Sequence, residues 1–254
     1  MIKHYNGILG KFNYNTDEYE LNGPPMFEYL HYTGNKTKDI IIPDGIKSCT
    51  SMFDGCVFLE EPPIIPNTVT DCSFMFYECK SLKYAPVIPL GVTNCTEMFM
   101  ACKSLKQAPD IPDSVLWCIH MFEDCTSLEY PPIISDNVLN CNWMFSHCIS
   151  LKKAPIISKR AKDCDWMFDN CISLEYPPDI PDSVKRCICM FRDCISLKTA
   201  PIIPNNFTHC SYMFKNCKSL TTIPDIPEKV IHCYGMFEGC DCLKLPSKIL
   251  ERVI

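Results

Sequence analysis

Twenty cysteines in a chain of 254 residues are the first side chains whose chemistry has to be decided. Nine stand at Cys49, Cys72, Cys95, Cys118, Cys141, Cys164, Cys187, Cys210 and Cys233, each twenty-three residues after the last. A second row follows seven residues behind, at Cys56, Cys79, Cys102, Cys125, Cys148, Cys171, Cys194, Cys217 and Cys240, and only Cys189 and Cys242 lie outside these two phases. Thiols in this number could ligate zinc, form a disulfide framework, or pack as small apolar groups. Zinc sites want closely spaced cysteines and histidines at ligand spacing, which this pattern does not offer. Disulfide frameworks belong to small secreted domains with irregular spacing. Regular spacing in a long chain favours packing, because cysteine is among the most often buried residue types. Thiols one repeat apart would still come near bridging distance, so the compartment decides. Met1 to Leu21 lacks a basic start followed by an apolar run and a cleavage site, and a reducing cytoplasm with nearly all twenty thiols free is the expectation; a leader upstream would move the chain to the cell surface.

The other reactive residue types assemble into nothing catalytic. His4, His31, His120, His147, His209 and His232 sit beside no nucleophile elbow or metal-binding helix motif, and nine glycines form no phosphate-cradling loop. The reading is a non-enzyme with no metal or cofactor. His209 and His232 share the place just before the first cysteine of a repeat, which would let them stack, and one pair without an acidic third ligand reads as repeat drift and not as a metal site.

What must position these residues is the repeat itself. Numbered from its first cysteine, the repeat carries Cys at position 1, Met at 4, Phe at 5, Cys at 8, Leu at 11, Pro at 15, Ile at 17, Pro at 18 and Val at 21. Met-Phe occurs in all nine copies, from Met52-Phe53 to Met236-Phe237. Ser135 and Ser158 replace the second proline, Ala161 and Phe207 replace Val, and the last copy has Pro246 one place early. Positions 1, 4, 5 and 8 follow helical spacing and predict a short helical or turn-like segment with Cys, Met, Phe and Cys facing inward on the convex wall. Positions 10 to 14 read as a short parallel strand on the concave wall, ended by proline at 15, which has no ladder donor. Coils stacked at about 4.8 Å give an elongated body in which each coil touches only its neighbours. Residues 1–39 read as an N-terminal cap, with Lys11 to Tyr14 and Glu18 to Leu21 forming a hairpin about Asn15-Thr16-Asp17 and ending at Gly23-Pro24-Pro25. Residues 40–254 read as the solenoid: a half coil with Ile42, Pro43 and Ile46 in phase, nine coils from Cys49, and a short C-terminal cap at 245–254.

The run Met-Phe, two residues, Cys, two residues, Leu, then Ile-Pro, two residues, Val, as in Met98 to Val115, resembles the BspA-like leucine-rich repeats and the related Met-Phe repeats of bacterial surface lipoproteins, over residues 40 to 254. The resemblance implies a right-handed α/β repeat solenoid, a leucine-rich-repeat-like coil of an interaction protein, in a family whose members are often secreted adhesins. This chain differs in placing Cys at position 1 and in an extra residue around the prolines.

A net charge of −6 argues against a nucleic-acid partner, and no apolar run reaches the roughly 20 residues of a membrane span. Candidate partner contacts fall on two rows. Positions 12 and 13 should include outward side chains, among them Lys83, Tyr84, Lys106, Glu129, Tyr130, Lys152, Glu175, Tyr176 and Lys198; tyrosine is common at interfaces, and a solvated face that keeps the sheet soluble is the alternative. Position 3 carries His120, Trp143, Trp166 and Tyr212; on a helix these would point outward as an aromatic docking stripe, and otherwise they fill grooves between coils. The partner class expected is an unidentified protein, with a glycan as the alternative of a surface adhesin, and the solenoid ends could pair copies of the chain.

Overall fold

The computed structural model describes Ile2–Tyr5, Ile8–Asn13, Glu18–Leu21, and residues 40–247 and 249. Three strands, β1 (Ile2–Tyr5), β2 (Ile8–Asn13) and β3 (Glu18–Leu21), form an antiparallel sheet in the order β1-β2-β3. Asn13 lies opposite Glu18 and Gly10 opposite Leu21, while β1 adds a strand on the other side of β2, pairing Tyr5 with Ile8. Tyr14 and the turn at Asn15-Thr16-Asp17, the Gly23-Pro24-Pro25 break, and residues 248 and 250–254 of the C-terminal cap lie outside the described residues.

Residues 40–247 form a repeat solenoid. The wall built by positions 1 to 8 is a succession of tight turns, with no helix among the described residues of the nine coils before Ser247. The reason lies in how the amides are used. In the first coil the N–H groups of Cys49, Ser51, Phe53 and Gly55 donate to the carbonyls of Asp71, Ser73, Met75 and Tyr77 in the next coil, at 2.8–3.0 Å. The intervening amides close local turns, Met52 to Cys49, Asp54 to Ser51 and Cys56 to Phe53. A helix would consume every amide internally; here alternate amides are released to bind the neighbouring coil. The spacing of 1, 4, 5 and 8 is the same in both arrangements, so the inward set is unchanged.

The turns require a left-handed residue at positions 3 and 7, the third place of a type II turn. Position 3 has φ between +53° and +59° from Ser51 through Trp143 and Trp166 to Gly235, and position 7 has φ between +54° and +72° from Gly55 to Gly239. Most of these residues are not glycine, a conformation that carries a steric cost for any residue with a Cβ. Inter-coil hydrogen bonds made by the adjoining amides hold it in place.

Parallel pairing is also distributed differently from a simple concave strand. Isolated bridges join position 13 at Gln107 and Tyr130 and at Lys153 and Tyr176. The unbroken column is instead the residue before the first cysteine: Ser48, Asp71, Asn94, Trp117, Asn140, Asp163, Arg186, His209 and His232 pair in sequence. Prolines at 15 and 18 confine regular pairing on the other wall, as the missing donors require.

Inside, each phase of the repeat forms a column. Cys, Met, Phe and Cys are buried in every coil, joined by Leu at 11, Ile at 17 and Val at 21 through most of the stack. Nine phenylalanines from Phe53 to Phe237 stack in one file, with ring centroids 5.3–5.7 Å apart and planes within 11°. Each fully buried large apolar side chain is worth about 1.5–3 kcal/mol, and a coil alone could not bury its own set. All twenty cysteines are free thiols and only Cys242 is exposed. The position-8 thiols do more than fill space: from Cys79 to Cys240 each donates to the carbonyl of the position-5 phenylalanine of the preceding coil, at 3.0–3.1 Å. Burial pushes the thiol of Cys49 up to about 12 and that of Cys56 to about 11, and those of Cys102, Cys118 and Cys148 well above the ordinary thiol range. These groups stay protonated and unreactive.

Candidate interaction surface

With positions 11 and 17 fixed in the interior, the side chains between them divide into inward and outward sets. Lys83, Tyr84, Lys106, Glu129, Tyr130, Lys152, Tyr176 and Lys198 are exposed, and Glu175 is half-buried. Ion pairs along the row link Lys83 to Glu60 at 2.6 Å and Lys198 to Glu175 at 2.5 Å, each between neighbouring coils. Lys198 also places its ammonium 5.4 Å from the centre of the Tyr176 ring. Exposed pairs of this kind contribute little to stability; their effect is to hold the long side chains in register.

Position 3 does not form the free aromatic stripe that helical geometry would give. The left-handed backbone lays its side chains between coils, and His120, Trp143, Trp166 and Tyr212 are half-buried. Trp143 and Trp166 stack at 4.7 Å with planes 3° apart, His120 stacks on Trp143 at 5.5 Å, and Tyr212 meets Tyr234 edge to face. His120 Nδ1 lies 2.5 Å from Glu123 Oε2. At the last coil Gly235 takes the position, where a Cβ would come within 2.5 Å of the Tyr212 ring. The aromatic row is therefore part of the packing between coils.

Two arginines on the same wall are paired with carboxylates. Arg192 donates through Nε and Nη2 to the two carboxylate oxygens of buried Asp169, at 2.7 and 2.9 Å, and Arg186 makes a comparable pair of bonds to Asp165 Oδ2. Burial raises the Asp169 carboxyl pKa and the Arg192 guanidinium opposes the shift. His209 and His232 stack at 4.5 Å, and desolvation, followed by the charge of His232, lowers the His209 pKa. Among the described residues no group of His, Cys, Asp and Glu is arranged to hold a metal ion, and no helix is long and apolar enough to cross a membrane.

Sequence reasoning missed a third row. Position 16, between the buried proline and the buried isoleucine, points outward: Ile41, Ile64, Val87, Ile133, Ile156 and Ile202 are 66–88 % exposed. Asp110, Asp179 and Asp225 interrupt the row, and Asp110 Oδ1 accepts the main-chain N–H of Ile133. Those aspartates were the available signal, since a charged residue recurring in an apolar column marks a solvent-facing phase. Between the last coils, Thr199 and Thr222 from position 13, Ile202 and Asp225 from position 16, and Asn205 and Glu228 from position 19 border one cleft of about 690 Å³. At that end, positions 13, 16 and 19 share a side of the molecule.

A family model of the BspA-type leucine-rich repeat region, in six copies, matches residues 27–140 and 118–244. The chain belongs to the BspA-type leucine-rich repeat family. Its solenoid is similar to that of a leucine-rich repeat protein from Bacteroides ovatus, at TM-score 0.63 and 23 % identity over 96 % of this chain and 70 % of that one. A leucine-rich repeat protein of T. pallidum aligns over 96 % of this chain and 90 % of the other, at 20 % identity and TM-score 0.47. No curated protein matches the sequence. BspA-type membership supplies a repeat scaffold of the kind used for protein interaction and indicates no catalytic family.

Proposed function

We propose that this BspA-type chain is a non-enzymatic scaffold that holds a protein partner along the side presenting positions 12, 13 and 16. The observation that carries the reading is the position-16 row, six β-branched aliphatics left largely in solvent by a fold with ample interior to bury them. Contiguous exposed apolar surface is a mark of interaction sites. The aspartates interrupting it limit self-aggregation, as charges do on exposed strands. Twenty free thiols beside nine interior Met-Phe pairs favour a reducing compartment, since oxidation would put polar groups into the columns.

Affinity capture from extract of the source cell tests the reading. Wild-type protein should retain a stoichiometric protein partner, and a variant carrying Ile64→Lys, Val87→Lys, Ile133→Lys and Ile156→Lys should lose it while keeping its unfolding temperature. Capture undiminished by these four substitutions would remove the face from consideration.

A further inference from the structure

Tyrosine occupies position 13 in the second, fourth and sixth coils, as Tyr84, Tyr130 and Tyr176, with Gln107 and Lys153 on the coils between. The three rings are 63, 60 and 56 % exposed. Parallel bridges at Gln107 with Tyr130 and at Lys153 with Tyr176 keep this column in register, so successive tyrosines stand two coil spacings apart, roughly 9.6 Å at the usual strand separation. They form three pillars, with the exposed side chains of Gln107 and Lys153 in the intervals between them.

We infer that these pillars receive an acidic, proline-rich segment of the partner in the polyproline II conformation, lying along the solenoid axis. The inference rests on the protein-binding reading above and names the chemistry of its ligand. A polyproline II helix returns to the same face every three residues, about 9.3 Å, and so offers one proline ring to each interval between successive tyrosines. An extended β-strand on the same line repeats its outward side chains about every 6.6–6.8 Å and falls out of step after one interval. Aromatic-lined grooves are the usual receptors for this helix, which has little conformational entropy left to lose. Charge sets the second requirement. Across positions 12 and 13, Glu60 and Glu61 stand at the start of the row, Lys83 and Lys198 are ion-paired with Glu60 and Glu175, and Lys106, Lys152 and Lys153 flank Glu129 and Tyr130 as a local basic stretch on a chain of net charge −6. Acidic residues between the prolines meet those ammonium groups, and the position-16 aliphatics lie beyond them as a separate contact.

Fluorescence anisotropy with the full chain and a labelled synthetic peptide of four Pro-Pro-Glu units tests this. The peptide should bind, binding should weaken as salt is raised, and peptides of Gly-Gly-Glu or Pro-Pro-Lys units should bind more than about tenfold more weakly. The combined Tyr84→Ala, Tyr130→Ala and Tyr176→Ala variant should lose binding by a similar factor with its unfolding temperature unchanged. Equal binding of the Gly-Gly-Glu peptide, or full affinity in the triple variant, would overturn the inference. So would retention of carboxymethylcellulose by the same tyrosines with no binding of the peptide, which would assign the basic stretch to an acidic polysaccharide. If the triple variant still captures a cellular partner that the position-16 variant loses, the scaffold reading survives and only the proline-rich ligand fails.

Discussion

The thiol of Cys171 donates a 3.1 Å hydrogen bond to the main-chain carbonyl of Phe145, twenty-six residues earlier. The same carbonyl accepts the amide of Cys148 within its own coil, so one oxygen ties a turn closed and fastens the next coil to it. Cysteine at position 8 thus combines small volume with a donor, which alanine lacks. Cys171→Ala should destabilise the chain by about 1–2 kcal/mol, read as a lowered denaturation midpoint. Infrared spectra of the wild type should show an S–H stretching band shifted to low frequency by hydrogen bonding, with intensity lost in the variant. An unshifted band would reduce the row to space-filling.

Alkaline pH should unfold the protein early. Burial raises the folded thiol pKa values, to about 12 for Cys49 and about 11 for Cys189, while unfolded thiols titrate near 8.5. Above that pH the unfolded chain holds fewer protons than the folded one, so stability falls as pH rises. The contribution is complete below about pH 8.5 and is lost between there and the folded values, at about 1.4 kcal/mol per pH unit for each such thiol. Urea midpoints should be flat from pH 7 to 8 and drop steeply by pH 10; a constant midpoint to pH 10 would contradict the burial of the thiol columns.

The tryptophan pair should behave as packing. Replacing Trp143 and Trp166 with serine removes a 4.7 Å stack and should cost about 1–3 kcal/mol for each residue, measured by thermal unfolding. Unchanged stability would return these rings to the role of an exposed docking stripe.

The columns were legible in the sequence because a period of twenty-three without insertion can only superpose like on like, and Phe53 to Phe237 do so. The turn wall was not. Positions 1, 4, 5 and 8 face one way on a helix and equally in a run of turns, and the distinguishing signal lay at position 7, where Gly55, Asn170, Asn216 and Gly239 are residue types that tolerate left-handed backbone. That same backbone moved Trp143 from the surface into the groove between coils. The position-16 aliphatics escaped notice because Ile64 and Ile65 are adjacent and chemically alike, and only the chain's path past proline turns one outward and the other in.

Deletion of one whole repeat, residues 118–140, tests the central claim that the chain is a stack of interchangeable coils presenting fixed rows. Trp117 would then join Cys141 in phase, and every column would close with one member fewer. Circular dichroism, thermal unfolding and small-angle scattering should report a cooperative, slightly shorter particle, whereas removing residues 118–139 puts every later side chain one place out of step and should abolish cooperative unfolding. Equal damage from the two deletions would contradict the account.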